Sequence, residues 1–369
     1  MRPEPRLPDS GPQSSIVVRP EPTHSATYTQ SSRLQAAGLA RAISFLQQAA
    51  EQVPLPEPPQ PIIVADYGAA NGHNSLRPMA EAIAVLRRRT RHDHAILVAH
   101  TDIPDNDFTA LFRTLEEDPD SYLNKDTASF ASAIGRSFYG QIVPSKTVNL
   151  GWSSWAAQWL SRVPCAVDEH VHVSYGQDDA AFAAYADQAA LDWHNFVAFR
   201  GRELAPHGRL VVLTLGVDED GSFGFATLLD AILATAEDLA VDGLLHREEL
   251  RRMAIPTFGR GEKDFRAPFA PSGRFEGLAI DRLETFIAED RFWARFQVDD
   301  DAHAFGAQWA AFARSALFPA LVHALDNRAA DPRAVEFIER LETGVATRLA
   351  AAPEPMRIPQ AVVSLVKLR

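Results

Sequence analysis

Asp66, Gly68, Gly72 and Asn74 follow directly on the apolar run of residues 62–65, in the stretch IIVADYGAANGHNSL. A carboxylate next to two glycines is equipment for holding a small cationic ligand. Glycine admits positive φ and close backbone approach, and the carboxylate supplies the opposing charge. A second carboxylate, Asp102, follows the apolar run of residues 95–99 and is placed to accept hydrogen bonds from ribose hydroxyls. Dinucleotide sites use G-x-G-x-x-G, with a pyrophosphate on the helix N-terminus. Here only two glycines, four apart, carry the turn. An aspartate ahead of them suits a sulfonium and an α-ammonium better than a phosphate, so S-adenosylmethionine fits this turn better than a dinucleotide. A purely structural turn with two solvated aspartates remains the alternative.

The elements that must position these groups can be read from the chain pattern. Residues 62–65 have the β-branched, apolar character of a buried parallel strand, and residues 74–89 read as an amphipathic helix. Ahead of them, residues 31–53 carry Leu39, Ile43, Leu46, Ala50 and Val53 at helical spacing, and PLPEPPQP breaks the chain before the first strand. Further strands are expected at residues 95–99, 128–134, 147–151 and 209–215. Between them, residues 105–123 read as helix and loop, residues 154–162 as a short helix, and residues 178–204 as a long one. Strands alternating with helices indicate a doubly wound α/β sheet. Beyond Gly216 the pattern turns mainly helical, at residues 227–245 and 302–325, with a loop at 255–277 and strands at 282–288 and 361–368. This arrangement predicts a helical cap closing over the carboxyl ends of the strands. The division expected is a tail at 1–24, a core at 25–225, a cap at 226–330, and a final helix and strand at 331–369 that complete the core.

Composition narrows the partners. With 369 residues, 46% of them hydrophobic, the chain has ample material for a core, and its net charge of −12 argues against nucleic acid and anionic membranes. No apolar run approaches the roughly 20 residues of a membrane span, and no signal-peptide pattern opens the chain. The one cysteine, Cys165, rules out an internal disulfide and reads as a small buried residue. A cytoplasmic protein is the expectation. The histidines lack metal-ligand spacing: His92 and His94 flank Asp93, and His170 and His172 alternate as on a strand face. Phe305, Trp309 and Phe312 recur at helical spacing as cap packing, part of which is placed to face a ligand.

Several ordered motifs resemble the SABATH family of S-adenosylmethionine-dependent methyltransferases, whose plant members methylate salicylic, benzoic, jasmonic and indole-acetic carboxylates and xanthine nitrogens. Tyr28, Ser32 and Gln35 resemble the family's spaced tyrosine, serine and glutamine. The motif D-x-G-x-x-x-G-x-N appears as Asp66, Gly68, Gly72 and Asn74. The N-D-L-P segment appears as Thr101-Asp102-Ile103-Pro104, followed by Asn106-Asp107-Phe108. G-S-F-Y-G is kept as Ser137-Phe138-Tyr139-Gly140 after Arg136, and the S-S-aromatic-x-x-x-W-L-S run as Ser153-Ser154-Trp155 through Trp159-Leu160-Ser161. The match runs nearly the whole chain. Tyr67, Ala69, His73 and Thr101 depart from the plant pattern.

The resemblance implies a Rossmann-like class I methyltransferase sheet with an α-helical cap, and a homodimer. It implies that Ser32, Asp66, Gly68 and Asn74 surround the methionine part of the cofactor, Asp102 and Ile103 the ribose and adenine, and Ser137 and Phe138 the adenine. Gln35 and Trp159 would hold a substrate carboxylate, beside Tyr28 and Trp155. Ala226 would stand near the family's bulky pocket tryptophan and leave room for a longer or wider acid, aromatic or medium-chain fatty.

The chemistry is consistent with that set. A carboxylic acid of pKa about 4 to 5 is already ionised at neutral pH and needs no general base. Positioning alone can supply about 7 to 11 kcal/mol of such a barrier. Neutral donors such as the Gln35 amide and the Trp159 indole aim an anion without neutralising it as arginine would. N-methylation within the same family and non-catalytic nucleotide binding are the competing expectations, and an NAD-dependent dehydrogenase is disfavoured by the missing glycine.

Overall fold

The computed structural model describes residues 26–369, with side chains from Gly38 onward, so the tail expected at residues 1–24 lies outside the described residues. Seven strands form one sheet: β1 (Ile62–Tyr67), β2 (Ile96–Asp102), β3 (Ser129–Gly135), β4 (Val148–Ser154), β5 (Leu204–Leu215), β6 (Leu278–Ile287) and β7 (Pro359–Lys367). Their spatial order is β3-β2-β1-β4-β5-β7-β6. The first five are mutually parallel, and β7 runs antiparallel to both β5 and β6. This is the expected Rossmann-like α/β sheet. Strand order reverses between β1 and β4, and the crevice at such a switch point, beyond the strands' carboxyl ends, is where open α/β sheets bind ligands.

Period-2 alternation explains why the strands read as unbroken apolar runs. Ile62 and Val64 face a cluster with Leu46, Ile83 and Leu86, whereas Ala65 and Tyr67 face Trp193 and Phe196. The first face is covered by α1 (Ala26–Gln52), α2 (His73–Arg88), α3 (Phe108–Glu117) and α4 (Tyr122–Lys125), and the second by α5 (Asp179–Glu203). The entry to α2 is set by Gly72 at φ 82°, which turns the chain sharply out of the loop after β1.

The remaining helices are α6 (Ala226–Val241), α7 (Arg247–Arg252), α8 (Glu262–Arg266), α9 (Arg291–Asp299), α10 (Ala302–Ala316), α11 (Phe318–Val322) and α12 (Ala334–Ala351). A separate buried cluster joins α6, α10 and α12 through Leu228, Ile232, Trp309, Phe312, Phe337 and Leu341. Of residues 331–369, only β7 enters the sheet, while α12 packs within this helical body.

Several local expectations need correction; the stretch 255–277, expected as loop, contains α8 and a 3₁₀ turn at Ala267–Phe269. Residues 154–162 form no helix. Trp155 turns the chain at φ 54°, and the segment then pairs with a distant loop: Leu160 N donates to Pro256 O at 2.8 Å and Phe258 N to Gln158 O at 3.0 Å. The backbone groups a helix would use are thereby taken. The stretch at 302–325 is two helices, because Pro319 lacks the N–H needed to continue α10 and instead sits in the first turn of α11. His170 and His172 lie on no strand; His172 caps a short 3₁₀ turn, Val173–Tyr175, accepting from Ser174 N at 3.2 Å.

Candidate functional site

Parallel strands carry their carboxyl ends to one rim, and that rim gathers the chemistry. Asp66 is the penultimate residue of β1, Asp102 ends β2, Ser154 and Trp155 leave β4, and Leu215 ends β5; all line one cavity. Phe312 and Leu317, from the end of α10 and the start of α11, close it from the helical body, and Phe223, Phe225 and Leu229 wall the same side.

The turn after β1 is fitted closely to the turn after β4. Gly68 has φ 86°, and a Cβ there would come within 2.4 Å of Ala156 Cβ. Gly68 N and Ala69 N donate to Thr101 O at 2.9 and 3.0 Å. Asp102 fastens the next residue: its Oδ2 accepts from Ala70 N and its Oδ1 from Ile103 N, each at 2.7 Å. Asn106 Nδ2 completes the tie by donating to Ala70 O at 2.7 Å. The Asp102 carboxylate therefore shapes the loop while keeping one lone pair on each oxygen for a ligand. Burial pushes it up to about 6, against the two backbone N–H bonds that lower it.

Asp66 is only 2% exposed and is held from behind. His100, its register partner on β2, places Nδ1 at 2.8 Å from Asp66 Oδ2, and His100 Nε2 lies 2.9 Å from the Tyr122 hydroxyl. An ionised Asp66 can only accept, so Nδ1 donates and Nε2 receives the tyrosine proton.

Trp159 is anchored through its backbone. The Tyr139 hydroxyl donates to its carbonyl, Arg260 Nη1 donates to Ala157 O at 2.6 Å, and Trp159 is an antiparallel bridge partner of Thr257. Its indole lines the cavity, and Nε1 has no hydrogen-bond partner among the described residues. Trp155 is held in the sparsely allowed positive-φ region by Leu213 O, which accepts from its N at 2.9 Å, and by Gln158 Nε2, which donates to its carbonyl at 2.7 Å. Its buried Nε1 and the buried Ser154 hydroxyl have no partner among the described residues, and unsatisfied groups of this kind in a cavity wall mark ligand positions.

Of the residues anticipated from sequence, Asp66, Gly68, Asn74, Asp102, Ile103, Phe138, Trp155 and Trp159 all line this cavity. Ser137 does not. Its hydroxyl instead accepts from Tyr139 N at 3.3 Å in the turn after β3, and its neighbour Phe138 reaches the wall. Ala226 is also absent from the wall; as the first residue of α6 it leaves the lining to Phe225 and Leu229. Tyr28, Ser32 and Gln35 fall in the first part of α1, where side chains lie outside the described residues. Phe312 faces the cavity, whereas Phe305 and Trp309 are interior packing.

The residues present fit S-adenosylmethionine. A Cβ-free cradle, two carboxylates suited to an ammonium and a ribose, and aromatic Phe138 share one wall. Sequence reasoning missed His172, Thr257, Phe223 and His100. The bond between His172 and Thr257 spans 85 residues, and no local spacing signals it.

Comparison with known proteins agrees with this geometry. A family model described as "SAM dependent carboxyl methyltransferase" matches residues 20–367. The chain is 28% identical over 250 residues to salicylate carboxymethyltransferase of Clarkia breweri, covering 65% of this chain and 67% of that one. To methyltransferase LUC1 of a Fusarium species it is 31% identical over 242 residues, covering 64% of this chain and 63% of that one. The matched stretches thus span about two thirds of these relatives. Among solved structures, loganic acid methyltransferase with S-adenosylhomocysteine has the same fold, with a TM-score of 0.75 at 18% identity over 94% of this chain and 98% of that one. From residue 20 to residue 367, the chain belongs to the S-adenosylmethionine-dependent carboxyl methyltransferase family.

Proposed function

We propose that this chain methylates the carboxylate of a small acid lodged between Trp159 and the aromatic wall of Phe223, Phe225 and Phe312. When bound, S-adenosylmethionine supplies a methyl group activated on a sulfonium. The chain's own residues hold and orient the partners and exclude water.

The observation that carries this reading is the character of the cavity wall. Among the described lining residues there is no lysine or arginine, and the only ionisable groups are Asp66, Asp102 and His172. His172 is fully buried, and burial followed by the nearby His170 pushes it down to about 3, too weak a base to deprotonate a nitrogen or a phenol near pH 7. A carboxylate needs no such base. Trp159 Nε1 and Trp155 Nε1 are neutral donors that orient an anion, and apolar walls keep the site poor in water, which favours a reaction in which opposite charges cancel.

The test is a thermal-shift titration with S-adenosylhomocysteine, then mass-spectrometric product analysis over aromatic and medium-chain acids. Methyl esters support the reading; N-methyl products, or cofactor binding with no ester from any acid, overturn it. Homodimeric assembly and a cytoplasmic setting belong to the same proposal. The family resemblance supports the first and the single cysteine the second. A monomer in sedimentation velocity at micromolar concentration would reject the dimer.

A further inference from the structure

For a cavity that receives an anion, the wall carries the wrong sign of charge. Among the described lining residues Asp66 and Asp102 are the charged groups at neutral pH, and His172 stays uncharged. S-adenosylmethionine brings a sulfonium and an ammonium but also its own carboxylate, so its net positive charge does not offset both aspartates. A substrate carboxylate entering this space meets repulsion unless a cation stands close behind the wall.

Two arginines are fully buried among the described residues, Arg200 and Arg260. Arg200 is neutralised by Glu203 at 2.9 Å. Arg260 makes no ion pair among the described residues, and its hydrogen bonds go to carbonyls: Nη1 donates to Ala157 O at 2.6 Å, and Nε and Nη2 donate to Ala189 O at 3.3 and 2.8 Å. The buried Asp192 acts on it only through space, being engaged by Ser161 N at 2.7 Å and Gln188 Nε2 at 2.9 Å. A guanidinium taken out of water without an ion pair is costly to keep, and it keeps its charge.

Its place in the fold is one layer behind the cavity. The backbone of Arg260 is bridged to Gly216, next to the lining residue Leu215, and its guanidinium grips from behind the turn that carries Ala156, Gln158 and Trp159 into the wall. Trp159 is in turn the bridge partner of Thr257, on the same loop as Arg260. In so dry a setting the charge is little screened, yet it does not pair directly with the nucleophilic oxygen.

We propose, resting on the carboxyl-methylation reading, that Arg260 is a positioning residue for the substrate anion: through the turn of residues 156–159 and through its field, it draws a carboxylate to Trp159 without touching it. The effect has a sign. A positive field favours the free carboxylate over a transition state in which that charge is being cancelled, so it lowers KM and does not raise kcat.

The experiment uses the acid that the wild-type protein esterifies best among the aromatic and medium-chain acids, with its own methyl ester as a neutral product inhibitor. Arg260→Gln, which keeps N–H donors and loses the charge, is expected to raise KM for the acid by roughly tenfold, with kcat undiminished and the ester's inhibition constant unchanged. Arg260→Lys is expected to hold KM near the wild-type value. Asp192→Asn leaves Arg260 in place and removes the anion beside it, so KM is expected to fall, a change of opposite sign that also serves if Arg260→Gln does not fold. An unchanged KM in Arg260→Gln, or acid and ester weakened in equal proportion, overturns the proposal, as does a KM that stays or rises in Asp192→Asn. Cofactor binding with no ester from any acid overturns the underlying reading, and this role with it.

Discussion

His100 lies directly across from Asp66 on the neighbouring strand and is bonded to it at 2.8 Å, with both side chains buried. A carboxylate removed from water at a cavity floor needs such a donor to satisfy it and hold it correctly turned. His100→Leu removes the donor and is expected to weaken S-adenosylhomocysteine binding by roughly ten- to a hundredfold, the worth of one hydrogen bond to a charged group. His100→Asn, whose amide N–H can stand in for Nδ1–H, should recover part of the loss. Calorimetric titration of the three proteins decides; undiminished affinity in the leucine variant would show the pair to be mere packing.

Trp159→Phe keeps the bulk of a ring that lines the cavity and removes Nε1–H, which makes no hydrogen bond among the described residues. Because the lost bond positions the nucleophile, kcat should fall by about tenfold or more while cofactor affinity is unchanged. Steady-state kinetics on an accepted acid, beside a cofactor titration, provide the check. Full turnover would reduce the indole to packing.

Asp102 predicts a pH dependence of known sign. Its folded-state pKa, raised by burial to about 6, lies above the unfolded value of about 3.9. The group therefore contributes stability below about pH 4, and loses that contribution as pH rises through 6. Ligand binding runs the opposite way, since accepting ribose hydroxyls is the work of the ionised form. Affinity for S-adenosylhomocysteine should drop about tenfold between pH 7 and pH 5, following the ionised fraction. Asp102→Asn should flatten that profile, and a variant profile parallel to wild type would exclude Asp102 as its origin.

Gly68→Ala tests the cradle itself. Alanine at φ 86° is strained, and its Cβ would sit 2.4 Å from Ala156 Cβ, an atom on a fixed turn. Strain and overpacking together should cost about 2 to 5 kcal/mol. A lowered Tm with lost cofactor binding is expected, and an unshifted Tm would mean that the two turns separate freely.

Sequence was informative wherever structure is local. The apolar run at residues 62–65, the two glycines and the helix after them are each specified by neighbours a few residues away, and the structure has them as read. The segment after Ser154 was misread because its partners, Pro256 and Phe258, lie about a hundred residues on, and helical spacing of Trp155 and Trp159 could not reveal that pairing. His172 was passed over for the same reason: its role arises from Thr257 and Phe223, which only the fold brings to it. Ala226, expected from the family resemblance to leave room at the wall, is the first residue of α6, and the lining there is Phe225 and Leu229, set where the chain bends into the helix.

The position of β7 bears on how the molecule is made. Among the strands of the described residues, β6 pairs with β7 alone, which in turn is wedged between β6 and β5, and α9 through α12 come between the two strands in the chain. During synthesis β6 emerges well before its neighbour, and its backbone stays without a ladder until four more helices have left the ribosome. The first five strands can associate while translation continues; this margin of the sheet must wait.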